Sequence, residues 1–130
     1  MASIFTKIIN GEIPCYKVAE NDKFFAFLDI NPLQKGHTLV VPKKEEDYIF
    51  DIADGDLKEY ICFAKKIAIA IKKAYPCEKV GMAVIGLEVR HAHIHLVPMQ
   101  KEGDLNFANP HLQLKDEEFK EIAFNIAANL

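Results

Sequence analysis

The sequence predicts an α+β domain. Three observations carry this: aromatic and β-branched runs at residues 16–20, 24–30 and 37–42; one long helical stripe at mid-chain; and two more strand runs, 79–85 and 88–98, before a closing helix. Runs of strands set apart from runs of helix favour one antiparallel sheet of about five strands with helices on one face. A length of 130 residues is one domain's worth, and residues 1–130 are read as a single unit.

The elements follow in order. Ile4, Phe5, Ile8 and Ile9 recur at helical spacing behind Ser3, a side chain suited to an N-cap, so a short helix opens the chain. Asn10-Gly11 ends it. Ile13-Pro14 begins an extended segment, because the residue before proline avoids the helical region. Strand 16–20, a turn at Asn21-Asp22-Lys23 and strand 24–30 read as a hairpin, with Phe25 and Phe27 on one face and Phe24, Ala26 and Leu28 on the other. Strand 37–42 is closed by proline. The charged run 43–47 reads as a solvated connection.

Leu57, Tyr60, Ile61, Ala64, Ile67, Ala68 and Ile71 then form one apolar stripe. Asp56 with Glu59 suggests a capping box, Lys65, Lys66, Lys72 and Lys73 take the polar side, and Pro76 stops the helix. Residues 103–110 read as a loop. The last helix spans 116–130, with Phe119, Ile122, Ala123, Ile126, Ala127 and Leu130 on one face.

Composition excludes several function classes. A net charge of -3 supplies no basic field for nucleic acid, so none is expected as a partner. The N-terminus lacks a signal-peptide run, and no stretch is long and apolar enough to span a bilayer. Cys15, Cys62 and Cys77 are odd in number, widely spaced and without a C-x-x-C, which fits reduced thiols in a cytoplasmic protein. Cys62 falls on the long helix and reads as a small core or near-core residue.

The chemistry concentrates at His91-Ala92-His93-Ile94-His95-Leu96-Val97-Pro98. On an extended strand His91, His93 and His95 share one face, while Ala92, Ile94 and Leu96 share the other and can be buried. A zinc site is one reading, but at strand rise the three imidazoles span roughly 13 Å, too far for one ion without a bend. A pair such as His93 and His95 with His37 stays open as a ligand set. Nucleophilic catalysis is the other reading. A neutral imidazole attacks phosphorus and also leaves it readily, so a phosphohistidine splits one hard displacement into two easier ones. The attacking nitrogen must be proton-free, which requires the other nitrogen to donate to a nearby carbonyl.

His91-Ala92-His93-Ile94-His95-Leu96-Val97 resembles the His-φ-His-φ-His-φ-φ signature of the histidine triad (HIT) superfamily of nucleotide hydrolases and transferases. Residues 4–14 resemble that family's opening helix, 26–32 and 35–43 its next two blocks, and Gly86-Leu87-Glu88-Val89 its phosphate-contacting segment. These blocks lie in the family's order and cover about half of the chain; they are most similar to the Hint-like purine nucleoside phosphoramidases.

The resemblance implies an AMP-like purine nucleotide substrate, no cofactor and a homodimer built on the long helix and a neighbouring strand. It implies that His93 attacks the α-phosphorus, with His95 on phosphate oxygens or the leaving group and His91 and His37 in support. Backbone N–H groups near Glu88 and Val89 would stabilise charge on phosphate oxygens. Asp29 would accept the ribose hydroxyls, and Ile4, Phe5, Ile8, Phe27 and Ile30 would sandwich the base. His111 receives no role from the family and reads as a surface-loop histidine.

Two departures bear on function. Many bacterial relatives open with C-x-x-C and complete a structural zinc site with histidines; Ser3 and Thr6 stand at the cysteine positions, with Glu45 or Glu46 where a ligand histidine would follow Pro-Lys. No metal is therefore expected. Relatives also carry an Asn-x-Gly loop before the phosphate segment, where residues 80–86 are shorter, apolar and without asparagine. That keeps a second function in view, a nucleotide-binding regulatory module with little turnover, beside the hydrolase that the triad favours.

Overall fold

The computed structural model describes residues 2–130. In chain order it forms α1 (Ile4–Ile9), β1 (Lys17–Glu20), β2 (Phe24–Leu28), β3 (Thr38–Pro42), α2 (Asp54–Ala74), β4 (Lys79–Ala83), β5 (Ile94–Met99) and α3 (Asp116–Ala127). Single 3-10 turns at Ile49–Asp51 and Glu102–Asp104 were not expected from the sequence. The five strands form one antiparallel sheet in the order β1-β2-β3-β5-β4. The α+β architecture is the expected one.

Each central strand feeds two cores, because side chains alternate across the sheet. Phe24, Ala26, Leu28, Val40, Ile94 and Leu96 point to the face covered by α2 and α3. Phe25, Phe27, Leu39 and Val41 point the other way, where Phe5 of α1 packs on them. Helices on one face alone was the expectation. The structure corrects it: α1 crosses to the opposite face. Ser3 caps α1 as expected, its hydroxyl accepting from Thr6 N–H at 3.0 Å. At the other end Gly11 adopts φ 80°, a region that suits glycine.

The long helix differs from its sequence reading in two ways. It begins at Asp54, behind Ala53, and the expected Asp56–Glu59 box does not form. Both carboxylates instead bind Lys23 Nζ of the β1–β2 turn, at 3.1 and 2.6 Å. Negative charge in the first turn still suits the helix dipole. Its buried stripe is Tyr60, Phe63, Ala64, Ile67, Ala70 and Ile71, whereas Ile61 is exposed. The stripe is rotated because α2 packs on the sheet and, at its side, on α3, so Phe63 and Ala70 turn inward. Cys62 falls on the outer side and is exposed, not core. In α3, Phe119, Ile122, Ala123 and Ile126 are buried as expected, but the helix stops at Ala127 and Leu130 is exposed.

Tyr60 joins helix to sheet. Its ring stacks on Phe24 at 5.2 Å and its hydroxyl donates to the Val40 carbonyl. Among the described residues no helix is long and apolar enough to cross a membrane.

Ile94 is fully buried between His93 and His95, on the α2 face. Ile94→Ala is expected to cost about 2–5 kcal/mol through lost burial and the cavity left behind. Urea unfolding should show a lower midpoint at unchanged slope; an unaltered midpoint would contradict this packing role.

Candidate active site

The strand that carries the triad starts later than the sequence suggests. β5 begins at Ile94, so His91, in a bend, and His93 lie in its lead-in and only His95 is in the ladder, opposite Leu39 and Ala83. The lead-in is not paired as a strand; its Ala92 N–H donates to the Glu46 carbonyl instead. The period-two alternation survives nonetheless. Ala92, Ile94 and Leu96 enter the α2–α3 core, and the histidines lie on the α1 face.

His37 joins them from just before β3. Its Nε2 lies 3.0 Å from His95 Nδ1, and His93 and His95 have ring centroids 4.9 Å apart. His37 and His91 are 1% and 0% exposed, whereas His93 and His95 each keep 8%. The first two are thus interior, and the second two keep a little surface.

Hydrogen-bond partners assign every proton on these rings. Leu33 N–H donates to His37 Nδ1 at 3.0 Å, so that nitrogen is bare and the proton sits on Nε2. His37 Nε2–H donates in turn to His95 Nδ1, which leaves the His95 proton on its Nε2. His93 Nδ1–H donates to the His91 carbonyl at 2.8 Å, leaving His93 Nε2 with a free lone pair. His91 Nε2–H donates to the Pro42 carbonyl at 2.7 Å while its Nδ1 accepts from the Ser3 hydroxyl at 2.6 Å. The site therefore sets one bare nitrogen, on His93, beside one N–H donor, on His95. His91 supports His93, and His37 supports His95; the two supports act at opposite ends.

Burial favours the neutral form of His37, His93 and His95. It pushes His37 down to about 3, with nearby His95 and His111 adding to the effect. It pushes His95 down to about 4, with His93 adding. It lowers His93 as well, against the opposing pull of the His91 carbonyl and Asp29. Asp29 follows β2, with Oδ2 3.5 Å from His37 Nε2. Burial raises its carboxyl, and the Asn31 N–H opposes that rise.

The other expected residues divide. Phe5 stands edge-on to His93 at 5.0 Å and to Phe27 at 5.6 Å, so these two form a buried aromatic wall beside the triad. Ile8 is half-buried against the same cluster, as is Val89. Ile4 and Ile30 are exposed, at 49% and 74%, and Glu88 is exposed.

A HIT domain profile matches residues 10–102 of this chain. An uncharacterised HIT-like protein of Borreliella burgdorferi is 38% identical over 135 residues, covering 98% of this chain and 97% of that one. The chain belongs to the HIT family. An adenosine 5'-monophosphoramidase of Schizosaccharomyces pombe is 33% identical over 132 residues, covering 100% of this chain and 99% of its own. A Bartonella henselae HIT-like protein involved in cell-cycle regulation superposes with TM-score 0.84 at 33% identity, covering 98% of this chain and 96% of that one.

The structural zinc site of many HIT relatives does not fit this chain. Ser3 hydroxyl is spent on His91, and Thr6 hydroxyl donates to Glu45 Oε1 at 2.6 Å; both are poor zinc ligands beside thiolates. Glu45 also accepts from Ser3 N–H, so a hydrogen-bonded clamp ties α1 to the 43–47 connection. That connection, expected to be merely solvated, is part of the site's frame. A second set, Asp29, His37 and His95, brings ligand atoms within 4.8 Å of one another. Its chemistry also speaks against a metal. The Leu33 N–H holds the proton of His37 on Nε2, the nitrogen that faces the other two groups, and a protonated nitrogen has no lone pair to offer.

Four residues in this HIT site escaped the sequence reading: Leu33, Glu45 as a clamp, Phe107 and His111. Phe107 packs edge-on to His95 at 4.7 Å. His111 is half-buried, its ring nitrogens 2.6 Å from the Asn31 carbonyl and 3.1 Å from that of Phe107, not free on a surface loop. Only Glu45 left a signal, as a carboxylate at a position where relatives place a histidine.

Acid should destabilise the HIT fold through its neutral histidines. The unfolded chain takes up protons near pH 6.5, the folded one only near 4 and 3 for His95 and His37. Their contribution is therefore complete above about 6.5 and is lost as pH falls from there toward 4. Urea midpoints measured across that window should decline, and His95→Gln should flatten the decline. An equal slope in both proteins would overturn the assignment.

Proposed function

We propose that this protein is a nucleotide hydrolase or transferase that attacks the α-phosphate of nucleoside 5'-phosphoramidates, mixed anhydrides or dinucleoside polyphosphates through His93. The observation that carries the reading is the free lone pair on His93 Nε2, held by the Nδ1–H bond to the His91 carbonyl, next to the His95 N–H. The name of the full-length fission-yeast relative, an adenosine 5'-monophosphoramidase, supports the phosphoramidate class.

In this mechanism His93 Nε2 forms a bond to the α-phosphorus as the bond to the leaving group breaks. The His93 ring keeps its Nδ1–H and so becomes cationic, and the His91 carbonyl oxygen stabilises that charge. His95 Nε2–H donates a hydrogen bond to the departing amine nitrogen, which takes its proton from solvent water. Water then bonds to the phosphorus of nucleotidyl-His93, the P–N bond breaks with its electron pair returning to His93 Nε2, the water's proton passes to solvent, and nucleoside monophosphate is released. Asp29 accepts ribose hydroxyls and the Phe5–Phe27 wall holds the base, with Ile4, Ile8 and Ile30 beside it. Backbone N–H groups near Glu88 and Val89 receive the phosphate oxygens.

Incubation with adenosine 5'-phosphoramidate should yield AMP, and His93→Ala should remove the activity by several orders of magnitude, as loss of a covalent nucleophile does. Equal inertness of both proteins, with AMP still bound, would instead support the regulatory nucleotide-binding module. Because His93 is held neutral below its ordinary range, kcat/KM should stay level from pH 8 to below 6.5 and fall only in more acid solution.

The active unit proposed is a homodimer. β4 is an edge strand, and with α2 and the 84–87 segment it exposes Ile61, Met82, Val84, Ile85 and Leu87. Tyr48, Phe50 and Leu57 with Ile61, Met82, Val84 and Ile85 surround an apolar hollow of ≈ 290 Å³. A strand edge beside exposed apolar side chains is what a second copy would cover. Light scattering should give twice 14.7 kDa, and Met82→Glu should return the mass to one chain. A wild-type mass of one chain would exclude the dimer.

A further inference from the structure

The segment 106–112 lies outside the catalytic strands, yet it is tied to them at several points. Phe107 contacts His95 edge-on at 4.7 Å and lies 6.2 Å from His37. Phe107 is only half-buried, and it lies beside the imidazole that carries the N–H donor. The segment has no helix or strand of its own to hold that ring in place. His111 supplies the support. Its Nδ1 lies 2.6 Å from the Asn31 carbonyl and its Nε2 3.1 Å from the Phe107 carbonyl. Leu112 N–H donates to the Pro32 carbonyl at 2.8 Å, and Ala108 N–H to Asn106 Oδ1 at 2.9 Å. Asn31 N–H donates to Asp29 Oδ1 at 2.8 Å, and Leu33 N–H aims His37. One histidine thus staples the loop that bears Phe107 to the loop that bears Asp29 and orients His37.

We propose that Phe107, held in place by His111, is the leaving-group wall of the cleft, selecting nucleotide conjugates with a flat, apolar leaving group over those that release ammonia. The inference rests on the roles given to His93 and His95 above. A leaving group that accepts a hydrogen bond from His95 Nε2–H must lie beside His95, and Phe107 is the aromatic ring packed there. Aromatic pairs gain attraction beyond the area they bury, and an ammonia leaving group has no surface with which to collect it. His111 is a positioning residue: it acts through Phe107 and touches no substrate.

The test compares kcat/KM for adenosine 5'-(indolylethyl)phosphoramidate with that for unsubstituted adenosine 5'-phosphoramidate. Phe107→Ala should lower this ratio about tenfold, a size set by aromatic contact energies. Phe107→Leu should lower it less, since it keeps an apolar contact. His111→Ala should lower the ratio in the same direction and His111→Gln should restore part of it, a pattern that general loosening of the fold would not give. In parallel, Kd is measured for two inert analogues, adenosine 5'-sulfamate and its N-phenyl derivative. Wild type should hold the phenyl compound about tenfold more tightly, and Phe107→Ala should lose that preference. Turnover with no preference, or an unchanged ratio and Kd preference in Phe107→Ala, overturns the wall and leaves the activity standing. Absence of turnover with the phenyl preference intact overturns the activity and leaves the wall. Absence of both overturns both. An effect of Phe107→Ala without one of His111→Ala overturns the staple.

Discussion

Four imidazoles buried inside one small domain stay ordered only if the ring nitrogens they bury find partners. That constraint shapes the region around them. The Leu33 N–H, the His91 and Pro42 carbonyls and the Ser3 hydroxyl each take one ring nitrogen, and together they set where every proton sits. Only the outward nitrogens of His93 and His95 are left for a ligand. One is a base and the other a donor, and that difference comes from their partners, since the residues are chemically identical.

The sheet makes this arrangement affordable. Alternation puts Ala92, Ile94 and Leu96 into the larger core, so the backbone under the histidines is fixed from behind. Short α1 closes the opposite face, with Phe5 against two of the rings. The Ser3–Thr6–Glu45 clamp holds α1 there by hydrogen bonds where relatives use a metal. A helix of six residues would not be stable alone, so this anchoring is what keeps the aromatic wall in position.

Much of the candidate site was legible because it is local. Ser3 as an N-cap, the two faces of Phe24–Leu28, and the alternation through His91–His95 follow from the periods of helix and strand. What failed was set at a distance. Asp56 and Glu59 have capping-box spacing, yet Lys23 from the β1–β2 turn binds them. Ile61 fits the helical stripe and Cys62 lies on the same helix, yet the angle at which α2 meets its neighbours leaves both exposed. Phe107 and His111 lie in a segment without period, and residues without a period carry no mark of what they touch.

The sequence by itself determined the α+β class, the HIT family and the identity of the histidines, since each depends on residue type and short spacing. Only the tertiary structure decided what each histidine can do. Protonation depends on which group stands opposite a ring nitrogen, and those groups come from positions up to 88 residues away. It also decided that His37, which with Asp29 and His95 resembles a ligand set, instead donates its Nε2–H to His95, because a single backbone N–H from Leu33 fills the nitrogen behind.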